Sequence, residues 1–191
     1  MRRFIGTAIA LLLVASPALA QNAPRQGFTI SFGLGAGSAA ASYEGNTTDR
    51  MAGPSGYLRL GGAVTPSLVI AGETHGLTHK DGSLTSHFGY LMAVAQWYPR
   101  ASGGFHVSGG LGLGVIREDD SDPLFDYELA SVGGAAQVGL GYDVRMTRNF
   151  SLTPYVNLLG IGGGKPTFNG VGQNSTLSAN AVQFGLGFTW H

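Results

Sequence analysis

Three groups of side chains in this 191-residue chain have the types and spacing that chemistry uses. His106-Val107-Ser108 sets an imidazole and a hydroxyl two positions apart, on one face if the segment is a strand. A serine becomes a nucleophile when such a base takes its proton and an acid orients the base; Asp143 is the acid that a neighbouring strand would bring near. Between Arg117 and Glu128 stand Glu118, Asp119, Asp120, Asp122, Asp126 and Glu128, and closely spaced carboxylates suit a hard cation such as calcium. His75, His79 and His87 flank one connection, and a metal held by histidine alone would need two or three of their nitrogens to converge.

Each group has a plainer reading, and the plainer one is preferred. The acidic stretch lacks the glycine and terminal glutamate spacing of an EF-hand and reads as a hydrated, mobile loop that shares divalent cations with lipid phosphates. The histidines read as isolated polar residues. Gly162-Gly163-Gly164-Lys165 lacks the spacing and following hydroxyl residue of a phosphate loop, and reads as a flexible surface loop. Asn46-Thr47-Thr48 is a glycosylation sequon only in a eukaryotic secretory setting. The expectation is therefore no catalytic residue, no cofactor and no metal: a protein that is not an enzyme.

The elements that would hold these residues are strands. From Val132 to Val144, Val132, Ala136, Val138, Leu140, Tyr142 and Val144 share one parity, while Ser131, Gly133, Ala135, Gln137, Gly139, Gly141 and Asp143 share the other. Side chains of a strand alternate between faces, so one face of this segment needs an apolar surrounding and the other a small, polar one. Lipid outside and a narrow lumen inside supply both. Glycine, at 32 residues, falls largely inside apolar runs, where a crowded barrel interior needs the space.

The N-terminus states a destination. Arg2 and Arg3 precede an apolar run from Phe4 to Val14, and Ala18-Leu19-Ala20 follows. This reads as a cleaved signal peptide over 1–20, leaving 21–191 as one outer-membrane domain. Cysteine is absent, so packing and hydrogen bonding must hold the fold. A net charge of zero offers no basic surface for nucleic acid.

Alternation and turn residues place eight strands: 27–38, 55–64, 68–77, 84–98, 104–116, 130–144, 150–160 and 177–190. Connections 65–67, 99–103 and 145–149 are short, and 39–54, 78–83, 117–129 and 161–176 are mostly longer. That is an all-β, eight-stranded antiparallel up-and-down transmembrane barrel, with short periplasmic turns and longer extracellular loops. Both faces of 84–98 are rather apolar, so its parity is the weakest assignment; it is read with Phe88, Tyr90 and Met92 inward.

Outward parity near the short-turn rim gathers Phe28, Trp97, Phe105, Tyr142, Phe150 and Trp190 into an aromatic girdle at one membrane interface. Pairing Val64 with Leu68 sets Arg59 opposite Glu73 and Tyr57 opposite His75, an inward ion pair expected on desolvation grounds. Catalysis by Glu73 and His75 is the sharper alternative to that structural role. Pairing Tyr98 with Gly104 sets Phe88, Tyr90 and Met92 against Gly114, Gly112 and Gly110. Pairing Val144 with Phe150 sets Tyr155 against Gly139 and Gln137 against Asn157. Bulk against glycine fills a lumen rather than leaving a pore.

With these hairpins, the Gly-rich run Gly109 to Gly114 and the ending Phe184-Gly185-Leu186-Gly187-Phe188-Thr189-Trp190-His191, the chain resembles the small eight-stranded outer-membrane barrels. These are the OmpA transmembrane domain, OmpX and the opacity-type surface proteins. The resemblance spans the whole chain after the signal. It implies that Phe184, Phe188 and Trp190 form the closing-strand signal read by the barrel-assembly machinery, although here His191 follows the final aromatic. It also implies a monomer among outer-membrane lipid and lipopolysaccharide, in a structural or surface-interaction role, with loops that meet host or other surface ligands. The His-x-Ser pair separately resembles that of an outer-membrane lipid A deacylase family. Such a site should meet lipid at the loop-side leaflet, whereas His106 and Ser108 are placed inward near the opposite rim.

Two other readings stay open. A narrow channel or transporter for small or hydrophobic molecules would conduct or take up solute. A soluble lipocalin-like barrel would need an apolar interior, against which Gln137, Arg59 and Glu73 on the inward parity argue.

Overall fold

The structure, a computed structural model, describes residues 25–120 and 127–191. The signal peptide assigned to 1–20, and Asp122 and Asp126 of the acidic stretch, lie outside the described residues.

Eight long strands form the wall: β1 Gly27–Tyr43, β2 Met51–Thr65, β3 Leu68–Asp81, β4 Leu84–Trp97, β5 Phe105–Asp120, β6 Tyr127–Tyr142, β7 Phe150–Phe168 and β8 Leu177–Trp190. Each pairs antiparallel with the next, and β8 pairs with β1 from Ile30 opposite Trp190 to Tyr43 opposite Leu177. The sheet is closed, so each of these eight strands has a paired neighbour on both sides.

The alternation sorts side chains as the two solvents demand. Every strand points large apolar groups outward, among them Leu34, Leu58, Ile70, Leu91, Leu111, Val138, Leu158 and Leu186, all exposed. Inward stand glycines, polar groups and aromatics. Strand β4 directs Ser86, Phe88, Tyr90, Met92, Val94 and Gln96 inward, all buried, which fixes its parity.

Registers differ from the sequence expectation at the turns. Val64 does not pair with Leu68: Thr65 does, and Val64 bulges out of the ladder, beyond which Arg59 faces Glu73 and Tyr57 faces His75. The β4–β5 pairing is offset by two residues, so Tyr90, Met92 and Val94 face Gly114, Gly112 and Gly110, while Phe88 faces Ile116. The β6–β7 pairing is offset likewise, and Tyr155 faces Gly141 while Asn157 faces Gly139. The cause is barrel stagger. Tyr98 N–H donates to Ser67 O and Asp143 N–H to Gly104 O, both 2.9 Å, so rim residues bond to an outer neighbour instead of closing a tight turn. A two-residue shift preserves parity, and bulk still meets glycine.

Strands also run further than alternation marks. Ala39 to Tyr43, Thr78 to Asp81, Arg117 to Asp120 and Ile161 to Phe168 belong to the ladder rather than to loops. Gly162 to Lys165 is not a flexible loop but a bulge in β7, where Gly163 takes φ +75°. Glu118, Asp119, Asp120 and Glu128 are likewise strand residues, with Asp119 opposite Glu128. Among the described residues this far rim holds three tight turns. Glu44-Gly45 and Asn169-Gly170 all have positive φ, the signature of two-residue type I′ hairpin turns, and Gly82-Ser83 joins Asp81 to Leu84.

Candidate functional site

The candidate site is the lumen, because its polar side chains converge there. At the rim that carries the β1 start and the β8 end, Asp143 lies just past the end of β6, fully buried. Tyr98 OH donates to its Oδ2 at 3.0 Å and Thr153 Oγ1 to its Oδ1 at 2.9 Å. Arg25 enters from the segment before β1, donating to Asp143 Oδ2 at 3.3 Å, Ala101 O at 3.0 Å and Gly103 O at 2.6 Å. Its guanidinium carbon lies 3.4 Å from the centroid of the Tyr98 ring, a cation–π contact. Gly27, at φ +79°, lets the chain turn from the wall into the mouth. Burial alone would raise the carboxyl pKa of Asp143. The His106 ring, the Arg25 guanidinium and the Thr153 hydroxyl outweigh that and hold it below the usual carboxylate range.

One storey deeper, Arg59 Nε donates to Glu73 Oε2. Glu73 Oε1 also lies 2.5 Å from His75 Nε2 and accepts from Gln137 Nε2 at 2.6 Å, while His75 Nδ1 lies 2.9 Å from Gln183 Oε1. Four strands, β2, β3, β6 and β8, thus meet on one carboxylate and its neighbours. Tyr57 lines the same storey, edge-on to Tyr155 at 4.9 Å, and its hydroxyl lies 3.1 Å from Ser31 Oγ. Glu73 and His75 are 1% and 3% exposed, which leaves no substrate route to them. The arrangement compensates buried charge; chemically, it blocks the bore.

Tested against this geometry, the His-x-Ser pair does not assemble a triad. His106 and Ser108 are both buried in the lumen, and no hydrogen bond joins them among the described residues. His106 Nδ1 lies 3.7 Å from Asp143 Oδ1, beyond hydrogen-bond reach, and 3.4 Å from Gly104 O. The histidines around β3 do not converge: His79 donates to Ala52 O at 2.8 Å and His87 Nδ1 lies 3.0 Å from Thr78 Oγ1, both far from the buried His75. Among the described residues no group of three or more metal-ligating side chains forms. Arg117 and Glu128 pair at 3.8 Å in solvent, worth about 1 kcal/mol or less.

On the outer face, Phe28, Trp97, Phe105, Tyr142 and Trp190 are exposed near the rim of the termini, and Phe150 is half-buried against Trp190 at 4.9 Å. Phe188 stacks between Phe32 at 5.0 Å and Phe150 at 6.4 Å, so the closing seam is aromatic. Phe184 stands exposed one storey away. His191 N–H donates to Asn149 O at 3.1 Å, tying down the residue after the last aromatic.

Sequence reasoning missed Arg25 and the Asp143 cluster. Arg25 precedes the first alternating residue, so strand periodicity carries no mark of it. An arginine two residues before the Gly27 hinge is the one available signal.

No protein-family profile matches the chain, and no curated protein matches it in sequence. Solved structures do match in shape. Neisserial surface protein A superposes with a TM-score of 0.55 at 18% identity, covering 85% of this chain and 96% of that one. Ail, the attachment invasion locus protein of Yersinia pestis, superposes at 0.53 with 11% identity, covering 83% and 97%. Ail in complex with the heparin analogue sucrose octasulfate gives 0.50 at 12% identity, covering 84% and 98%. At these identities the likeness is one of fold. This chain has the fold of the small eight-stranded outer-membrane barrels.

Proposed function

We propose that this chain is an integral protein of the bacterial outer membrane, exported by a cleaved signal peptide, and that it works without catalysis. Its lumen is sealed and its far rim is an interaction surface. The observation that carries the reading is the pairing of an unbroken apolar outer belt with a bore occupied by Arg59, Glu73, His75, Gln137 and Gln183. Water tolerates the first poorly, and a conducting pore would not contain the second.

Partners follow from the same surfaces. Membrane lipid contacts the belt, lipopolysaccharide the outer leaflet half, and the barrel-assembly machinery the closing strand with Phe184, Phe188 and Trp190; the barrel acts as a monomer. At the far rim the described residues Glu44, Asp49, Asp81, Glu118, Asp119, Asp120 and Glu128 outnumber Arg50, Lys80, Arg117 and Lys165. An acidic rim favours cationic or cation-bridged ligands over polyanions such as the heparin analogue bound to Ail.

Fractionation with the outer membrane, heat-modifiable gel mobility and silence in planar bilayers are the expected results. Stepwise conductance would replace this reading with the channel. An altered lipid A profile in Ser108→Ala would restore the hydrolase; an unchanged profile is expected.

A further inference from the structure

The far half of the lumen is built unlike the near half. Above the Glu73 network the inward positions become apolar: Leu77, Phe88, Ile116, Leu159 and Ile161 are each 4% exposed or less and form one cluster. Over this floor opens a cavity of about 340 Å³ at the barrel mouth. Its walls are Ala41 and Tyr43 of β1, Ile116 of β5, Leu129 of β6, Phe168 of β7 and Leu177 of β8, five consecutive strands on one side of the barrel. Polar groups stand at its lip. The segment Asn46 to Thr48 folds back beside the end of β1, with Thr48 N–H donating to Ala41 O at 2.9 Å and Ala41 N–H to Thr48 Oγ1 at 3.1 Å. Glu118 is the one carboxylate in the lining among the described residues, and Ser86 Oγ donates to it at 3.4 Å.

We propose that this cup is a binding site for a single-chain neutral amphiphile, whose hydrocarbon tail enters the mouth and whose uncharged head stays at the Thr47–Thr48–Glu118 lip. Four features of the cup select that class. Its volume lies in the range of small-ligand sites, roughly 300–1,000 Å³. Apart from the half-buried Tyr43, its walls are hydrocarbon and offer nothing to a charged head. The Glu118 carboxylate at the lip opposes an anionic head. The closed floor makes it a receptor, since the Phe88 and Glu73 storeys leave the tail no way through. The receptor role rests on the sealed lumen of the proposed function, whereas saturable binding at the walls and lip does not.

The test uses the full-length mature barrel refolded in nanodiscs of chain-deuterated lipid, with labelled methyl groups and decan-1-ol as the probe. Methyl resonances of Ile116, Leu129 and Leu177 should move and saturate, while those of lipid-facing Leu111 and Leu158 should follow bulk partitioning without saturation. Ala41→Phe and, on another wall, Leu177→Trp should each abolish the saturating component while keeping heat-modifiable mobility. Decanoate should bind about tenfold more weakly than the alcohol. Cup methyls that track the belt methyls, or saturation that survives in both filled variants, would overturn the site. Equal binding of decanoate would overturn the head-group assignment.

Discussion

The two halves of the lumen solve the same packing problem with opposite chemistry. Near the termini, charge is buried and matched: Asp143 takes donors from Arg25, Tyr98 and Thr153, and Glu73 from Arg59 and Gln137. Towards the far mouth, the same inward parity carries alanine, leucine, isoleucine and phenylalanine, and the wall encloses space instead of a network. A matched network is rigid and intolerant of the loss of one member, because each remaining charge is stranded in low dielectric. An apolar storey loses only the contacts of the atoms removed, and it can hold a guest. The seal and the cup are therefore separable by mutation.

The largest effect tests what both halves share, the closed wall. A Cβ at Gly35 would lie 2.0 Å from Phe184 O, a backbone atom across the β1–β8 seam. Gly35→Val should prevent closure, read as loss of the heat-shifted band and of protease resistance. Next comes the polar half: Glu73→Ala strands Arg59 and should cost about 3–5 kcal/mol in urea unfolding from lipid, whereas Arg59→Met with Glu73→Leu should recover most of it. If the double variant is no better than the single, the network is not a matched pair. In the apolar half Leu77→Ala should cost about 2–5 kcal/mol and enlarge the floor of the cup, with no change in the pH dependence of unfolding.

The smallest effect separates the halves by acid. Because the folded pKa of Asp143 is depressed, its contribution is full above the ordinary carboxylate range and is lost as pH falls through and below it, about pH 4. Asp143→Asn should cost about 1–3 kcal/mol at neutral pH and flatten the acid limb of a stability curve. A variant that retains the wild-type acid limb would assign that limb elsewhere.

Much of this was legible in the residues because two solvents enforce two faces. Val132 to Val144 alternates since lipid and lumen act on it at every step, and the short β2–β3 turn brought Arg59 within sight of Glu73. Legibility failed where one of those forces stops. Beyond the apolar belt the outward face no longer meets lipid and loses its apolar residues, so the stretches that hold Ser42, Thr78, Lys80 and Glu118 read as loop although they are laddered. Hairpin registers failed by two where Tyr98 and Asp143 leave their own turn to bond outward or inward. The dipeptide Asn169-Gly170 was the missed sign of an ordered tip, since both types accept positive φ, whereas Glu44-Gly45 carries only the glycine half of that sign. The cup escaped because its walls come from five strands, and no pairing rule of a single hairpin shows what lies across a bore.

The tight turns at the far rim bear on how antibodies raised against this protein would recognise it. Laddered strand ends with two-residue turns at Glu44-Gly45, Gly82-Ser83 and Asn169-Gly170 offer discontinuous epitopes that exist only while the barrel is closed. Sera raised on the denatured chain would therefore miss the folded one, and a peptide tag at Gly82-Ser83, where a turn already interrupts the ladder, would remain the accessible handle.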